Sequence, residues 1–134
     1  MKKIFFTWVL LLFVSVFVFS QSSFEVDGIV YRIVREADES SSIGLAEVTW
    51  KANGAYTGAI TIPNAVKEST DTYADTYKVI GIGERAFATC PDLESVKIPI
   101  CIEYIGSSAF EGCTRLTGIE LPKGNLSKLG DNEI

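Results

Sequence analysis

The sequence predicts a β-solenoid, a parallel ladder of short strands with short helical turns, preceded by an antiparallel β N-terminal cap. Three observations predict it: a nine-position framework that recurs at a fixed offset, a short alternating strand at the same place in each copy, and a proline directly after each such strand. Ile82, Gly83, Ala86, Phe87, Cys90, Leu93, Val96, Ile98 and Pro99 return at a constant spacing as Ile105, Gly106, Ala109, Phe110, Cys113, Leu116, Ile119, Leu121 and Pro122. Self-similarity at a period of about 20 to 50 residues is the signature of stacked architectures, in which one unit cannot bury its own apolar face.

The first twenty residues belong to a different problem. Lys2 and Lys3 precede an apolar run from Ile4 to Phe19, broken only by Thr7 and Ser15, and Ser20 offers a small residue before a cut ahead of Gln21. That layout is a secretory signal peptide over residues 1–20. A bilayer-spanning helix needs about 20 apolar residues, more than this run supplies, and no later segment is long or apolar enough to cross a membrane. Loss of Lys2 and Lys3 leaves 10 basic against 17 acidic residues, a net charge of −7. An acidic chain without a basic cluster is poorly suited to nucleic acid or to an anionic membrane.

Residues 21–58 carry no repeat and read as a hairpin-rich cap. Phe24, Glu25 and Val26, then the Asp27 and Gly28 turn, then residues 29–34 form a hairpin, because Asp-Gly suits a tight turn with positive φ. Residues 37–42 are acidic and serine-rich, hence a loop. Residues 45–51 read as a strand carrying Trp50, and Asn53 with Gly54 as a turn. A cap is required at this end, since a bare first rung would expose apolar side chains and strand edges.

The repeats occupy residues 59–134, with two full units over 82–122 and partial units at both ends. Ala59, Ile60, Thr61, Ile62 and Pro63 repeat the strand-and-proline half; Leu129, Gly130 and Ile134 restart the unit. Between them, residues 66–75 read as an insertion loop ahead of a strand at 77–82. Ile60 with Ile62, Val96 with Ile98, and Ile119 with Leu121 alternate with small or polar neighbours, so one face of each strand is inside. A proline ends each ladder segment because it has no N–H to give. Lys97 and Glu120 should then be neighbours on the outer face. Ala86 with Phe87, and Ala109 with Phe110, read as helical turns carrying the two main anchors of the column, while Gly83 and Gly106 mark turns.

The pattern Ile-Gly-x-x-Ala-Phe-x-x-Cys-x-x-Leu-x-x-Val/Ile-x-Ile/Leu-Pro resembles the BspA-like leucine-rich repeat of bacterial cell-surface and secreted proteins, specifically over residues 82–122 and more weakly at 59–63 and 129–134. The resemblance implies an extracellular leucine-rich-repeat solenoid, secreted or held at the cell surface. It also implies adhesion or protein binding, with a host or cell-surface protein as partner. Members usually carry many repeats, whereas this chain has barely two. The alternative is a structural spacer, or a truncated N-terminal fragment of a longer repeat protein, with no ligand of its own.

Little in the chain points to catalysis. It has no histidine, which removes Ser-His and Cys-His pairs and histidine zinc sites. No pair of acids stands out among the 17, so no catalytic, cofactor-binding or metal-binding residue is assigned, and the ligand-binding residues stay unknown. Cys90 and Cys113 hold the same place in successive units. They read as buried free thiols filling a tight corner, with a disulfide between rungs as the alternative in an exported protein. Cys101 falls outside the repeat phase, and the wide spacing of the three cysteines contains no CxxC pair. Trp50 reads as a core residue of the cap, with an aromatic platform for sugar or protein as the alternative. End-to-end self-association through an uncovered last rung is a further expectation.

Overall fold

Asp27 and Gly28 both take positive φ, 50° and 81°, and fold β1 (Ser23–Val26) back on β2 (Ile29–Arg35) as an antiparallel hairpin. The structure is a computed structural model that describes residues 22–72 and 74–122. The leader, the unit restart at Leu129, Gly130 and Ile134, and Tyr73 lie outside the described residues. After β2 the carboxylate of Asp38 accepts the backbone N–H groups of Ser40 and Ser41, both at 2.9 Å. That tight turn sends the chain into β3 (Ile43–Val48), antiparallel to β2 with Tyr31 opposite Val48.

Two sheets follow from here. β3 pairs in parallel with β6 (Thr76–Ile82), whose last two residues pair in parallel with β8 (Tyr104–Ile105). A second sheet runs β4 (Gly58–Thr61), β7 (Leu93–Lys97), β9 (Gly118–Glu120), parallel throughout. Its cross-strand rows are Ile60, Val96, Ile119 and Thr61, Lys97, Glu120. A single apolar cluster joins the sheets: Tyr31, Val48, Val79, Ile82, Phe87, Leu93, Val96 and Ile105 are all at most 2% exposed.

Several local expectations change. Residues 84–89 and 107–112 are consecutive turns rather than helical turns, and no helix occurs among the described residues. Arg85, Thr89 and Ser108 sit at φ of 54° to 56° and Gly112 at 78°, and a right-handed helix cannot contain such residues. The turns bond to one another instead: the N–H groups of Arg85, Phe87 and Thr89 donate to the carbonyls of Ser107, Ala109 and Glu111 at 2.7–3.1 Å. The stretch 66–75 is not all loop. β5 (Ala65–Lys67) pairs antiparallel with the first half of β6 and buries Val66. Its buried Val66 between exposed Ala65 and Lys67 makes a half-buried edge strand.

The strand expected over 45–51 ends at Val48, and Trp50 lies beyond it with 60% of its surface exposed. The reading of Trp50 as a core residue is therefore wrong, and Tyr56 takes the place expected of it. Tyr56 is 3% exposed and meets Phe87 edge-on at 4.9 Å between centroids, and Phe87 stacks on Phe110 at 5.3 Å. Phe87 is fully buried, but Phe110 is only partly so, so the two are unequal anchors.

Candidate binding surface

Three places on the described surface carry side chains arranged for more than packing. The first is the outer face of β4, β7 and β9. Because inner and outer residues alternate, Thr61, Lys97 and Glu120 stand in one exposed row. The Lys97 Nζ lies 3.6 Å from a Glu120 oxygen, and Arg115 meets Asp92 at 3.3 Å beside the same sheet. Such exposed pairs contribute roughly 0–1 kcal/mol each, so this face is a platform of side chains that are either short or mutually neutralised. Below it, at the proline end of the strands, Pro63, Pro99, Pro122 and the 57%-exposed Ile100 line a groove of about 550 Å³.

The second place surrounds Trp50. Departure of the chain from β3 after Thr49 leaves the indole outside the core. It forms part of the wall of two hollows, of about 380 Å³ and 310 Å³. Lys51 lines both and holds Glu25 at 3.0 Å.

The third is a polar row across the back of the larger sheet. Arg32, Glu47, Gly81 and Tyr104 are successive cross-strand partners on β2, β3, β6 and β8. Glu47 is 3% exposed; it forms an ion pair with Arg32 and accepts a hydrogen bond from the Tyr104 hydroxyl. Burial raises the Tyr104 pKa above its ordinary value, opposed by the nearby Arg32 guanidinium. A buried carboxylate must be paired to stay charged, and this one is. The sequence reading missed Glu47. The faint signal was its place on the solvent side of an alternating strand with small Gly81 and Gly83 nearby.

The thiols are free in all three cases. Cys90 is buried, and its sulfur accepts the Tyr56 N–H at 3.4 Å. Cys113 is partly buried and donates to the Phe87 carbonyl at 3.0 Å, with burial pushing its thiol pKa up. Cys101 donates to the Val79 carbonyl at 3.1 Å, and burial raises it too. A raised thiol pKa disfavours the nucleophilic thiolate. Among the described residues no group of three or more acidic or cysteine side chains is placed to hold a metal. No helix among them is long and apolar enough to cross a membrane.

Comparison with known proteins bears on the ladder. Residues 76–133 match the family described as the BspA type leucine-rich repeat region (6 copies). These residues are BspA-type leucine-rich repeats. The matched stretch contains both full units of the sequence repeat and, of the restart that follows them, Leu129 and Gly130. No curated protein matches the chain. Among solved structures it is similar to a leucine-rich repeat protein from Bacteroides ovatus, with 29% identity over 74% of this chain and 23% of that one, TM-score 0.52. It is also similar to a leucine-rich cell surface protein from Faecalibacterium prausnitzii, with 29% identity over 82% of this chain and 26% of that one, TM-score 0.56. The chain thus spans about a quarter of the length of the solved proteins it matches. Both are described as leucine-rich proteins, and the described part of this chain is mostly β.

Proposed function

We propose that this chain is an exported, non-catalytic leucine-rich-repeat protein that acts at the cell surface as an adhesion or protein-binding module. The observation that carries the reading is the outer face of β4, β7 and β9. Its exposed residues are small or paired across rungs, so a partner meets a flat sheet surface with little charge to strip of water. The signal-peptide pattern of residues 1–20 supports export. The cell-surface description of the Faecalibacterium relative supports the location. In this reading β3 with β4, β6 with β7, and β8 with β9 are successive turns of a solenoid, with residues 21–58 as the cap and 59–134 as the repeats.

Area sets the terms. Strands about 4.8 Å apart and about 3.3 Å per residue make a three-stranded face roughly 10–15 Å on each side, about 100–200 Å² in area, far short of the roughly 800 Å² per partner of a standard interface. A small face is the one observation favouring the spacer reading. The test is binding of the full chain to immobilised host matrix proteins, compared with a Thr61→Glu, Lys97→Glu double variant. Both sites are exposed, so the fold should survive. Saturable binding abolished by the double variant is expected, and binding that ignores the change would remove this face from the account. Absence of binding to any surface protein would favour the spacer.

A further inference from the structure

We propose that Trp50 is the stacking platform of a carbohydrate-binding site, and that the two hollows it separates seat sugar units of an uncharged glycan. The site is independent of the ladder face. Three observations converge on it. The indole is 60% exposed although Tyr31, Tyr56, Tyr77 and Phe87 are each at most 3% exposed, so a large, apolar, hydrogen-bonding ring has been left on the surface. The backbone from which it projects is fixed: Val48 is fully buried and Thr49 is 9% exposed, with the Thr49 N–H on the Val30 carbonyl at 2.9 Å and its carbonyl receiving the Tyr56 hydroxyl at 2.7 Å. Hydrogen bonds at both ends of Thr49 anchor the backbone under the indole, so a ligand has only the two side-chain torsions of Trp50 to order, which is what makes an aromatic surface side chain effective in recognition.

The walls of the hollows select the ligand. The larger one, about 380 Å³, presents Ser23, Thr49 and Asn53, and the smaller, about 310 Å³, presents Thr89 beside the indole. Every cation lining them is matched to a carboxylate: Lys51 to Glu25 at 3.0 Å, Arg85 to Glu111 at 3.4 Å, and Arg32 to Glu47. An anionic or cationic ligand would gain little from walls neutralised in this way. A neutral ring with one apolar face and a rim of hydroxyl groups matches them fully. Its C–H face lies on the indole while its hydroxyls exchange hydrogen bonds with Asn53, Thr49 and the paired charges, which act as donors and acceptors. Each hollow has room for about one or two pyranose rings by volume. The class of partner is therefore a neutral oligosaccharide, with Trp50 between two adjacent subsites.

The chain has two tryptophans, Trp8 and Trp50, so a full chain carrying Trp8→Phe reports on Trp50 alone. The probes are soluble neutral tetrasaccharides of β-1,4-glucan, β-1,4-mannan and β-1,4-galactan, with polygalacturonate as a charged control. At least one neutral tetrasaccharide should shift Trp50 emission to the blue and shield it from acrylamide, independently of salt. By calorimetry on the Trp8→Phe background, Trp50→Ala should weaken that binding at least tenfold with unchanged melting, Trp50→Tyr should retain part of it, and Asn53→Ala should weaken it severalfold. Unchanged emission with all three neutral sugars overturns the proposal, as does salt-sensitive binding of polygalacturonate alone. So does emission already blue and shielded without sugar. If that shielding fades on dilution, a second copy covers the indole; if it persists, another segment of the chain does.

Discussion

Tyr104 reaches Glu47 only because Gly81, which stands between them in the sheet, has no side chain. A Cβ at Gly81 would fall inside the Tyr104 ring. Gly81→Ala should therefore cost about 1–3 kcal/mol by overpacking, measured by urea unfolding. In a Tyr104→Ala background the cost should largely vanish, because the clash is with that ring and such neighbours are not additive. Phe87 and Phe110 show how equivalent residues can differ. Phe87→Ala should cost about 3–5 kcal/mol, and Phe110→Ala distinctly less, since only Phe87 is fully buried. Equal losses in the two variants would mean that the column is uniformly packed. Titration adds a third check. Burial pushes the Tyr56 hydroxyl up to about 12 from its ordinary 10. An unfolded tyrosine loses its proton first as pH rises, so this group's stabilisation is complete below about pH 10 and is lost between 10 and about 12. Tyr56→Phe should flatten that part of the alkaline decline in melting temperature.

The corner turns are the element whose conformation was least legible in the sequence. Strands announced themselves because alternation and a following proline are local signals. A left-handed residue is a single backbone choice, and Arg85, Thr89 and Ser108 do not advertise it. The clue was present at one position: Thr89 in the first unit corresponds to Gly112 in the second, and both take positive φ. A β-branched residue there is strained by roughly 1 kcal/mol, so Thr89→Gly should raise stability by up to about 1 kcal/mol. A loss on thermal unfolding would mean that the Thr89 side chain contributes more than its backbone costs. Bulges were equally hidden. The β6 register skips Ile80, so Val79 and Ile82, three apart, both face the core; the β7 register skips Glu94 with the same result for Leu93 and Val96. Strict period-two reading breaks at such an inserted residue. The parallel pairing of β3 with β6 was missed for another reason. Val48 pairs with Ile82 and Tyr56 packs on Phe87, but the path from Val48 to Ile60 is shorter than the path from Ile82 to Val96. Equivalent positions in space, reached by a shorter path with different residues, leave no repeat to align. Trp50 misled for the same reason: it follows the strand end in a corner that resembles no other.

At the scale of the molecule, burial falls off along the ladder. Leu93, Val96, Ile98 and Cys90 are at most 4% exposed, whereas their counterparts in the next unit, Leu116, Ile119, Leu121 and Cys113, are only partly buried. At the other end the β1–β2 hairpin lies over the core and buries Ile29 and Tyr31. The repeat made the parallel pairing of β4, β7 and β9 readable, because the same strand recurs at a fixed spacing in sequence. How completely each rung is covered was not readable, since that depends on what lies above it. The asymmetry has a consequence for stoichiometry. A molecule with an adhesive patch at each end builds filaments, because every addition exposes a fresh site; a molecule with one such patch exhausts it on first contact. If the partly buried face of Phe110, Leu116 and Leu121 is the one such patch, two copies meeting through it about a two-fold axis hide each other's patch and leave nothing to recruit a third. In that case sedimentation across a wide concentration range shows a monomer–dimer equilibrium that Leu121→Glu shifts to monomer, and a monomer at every concentration means that the face is covered. Species growing steadily beyond two would reveal a second adhesive end that the hairpin fails to close.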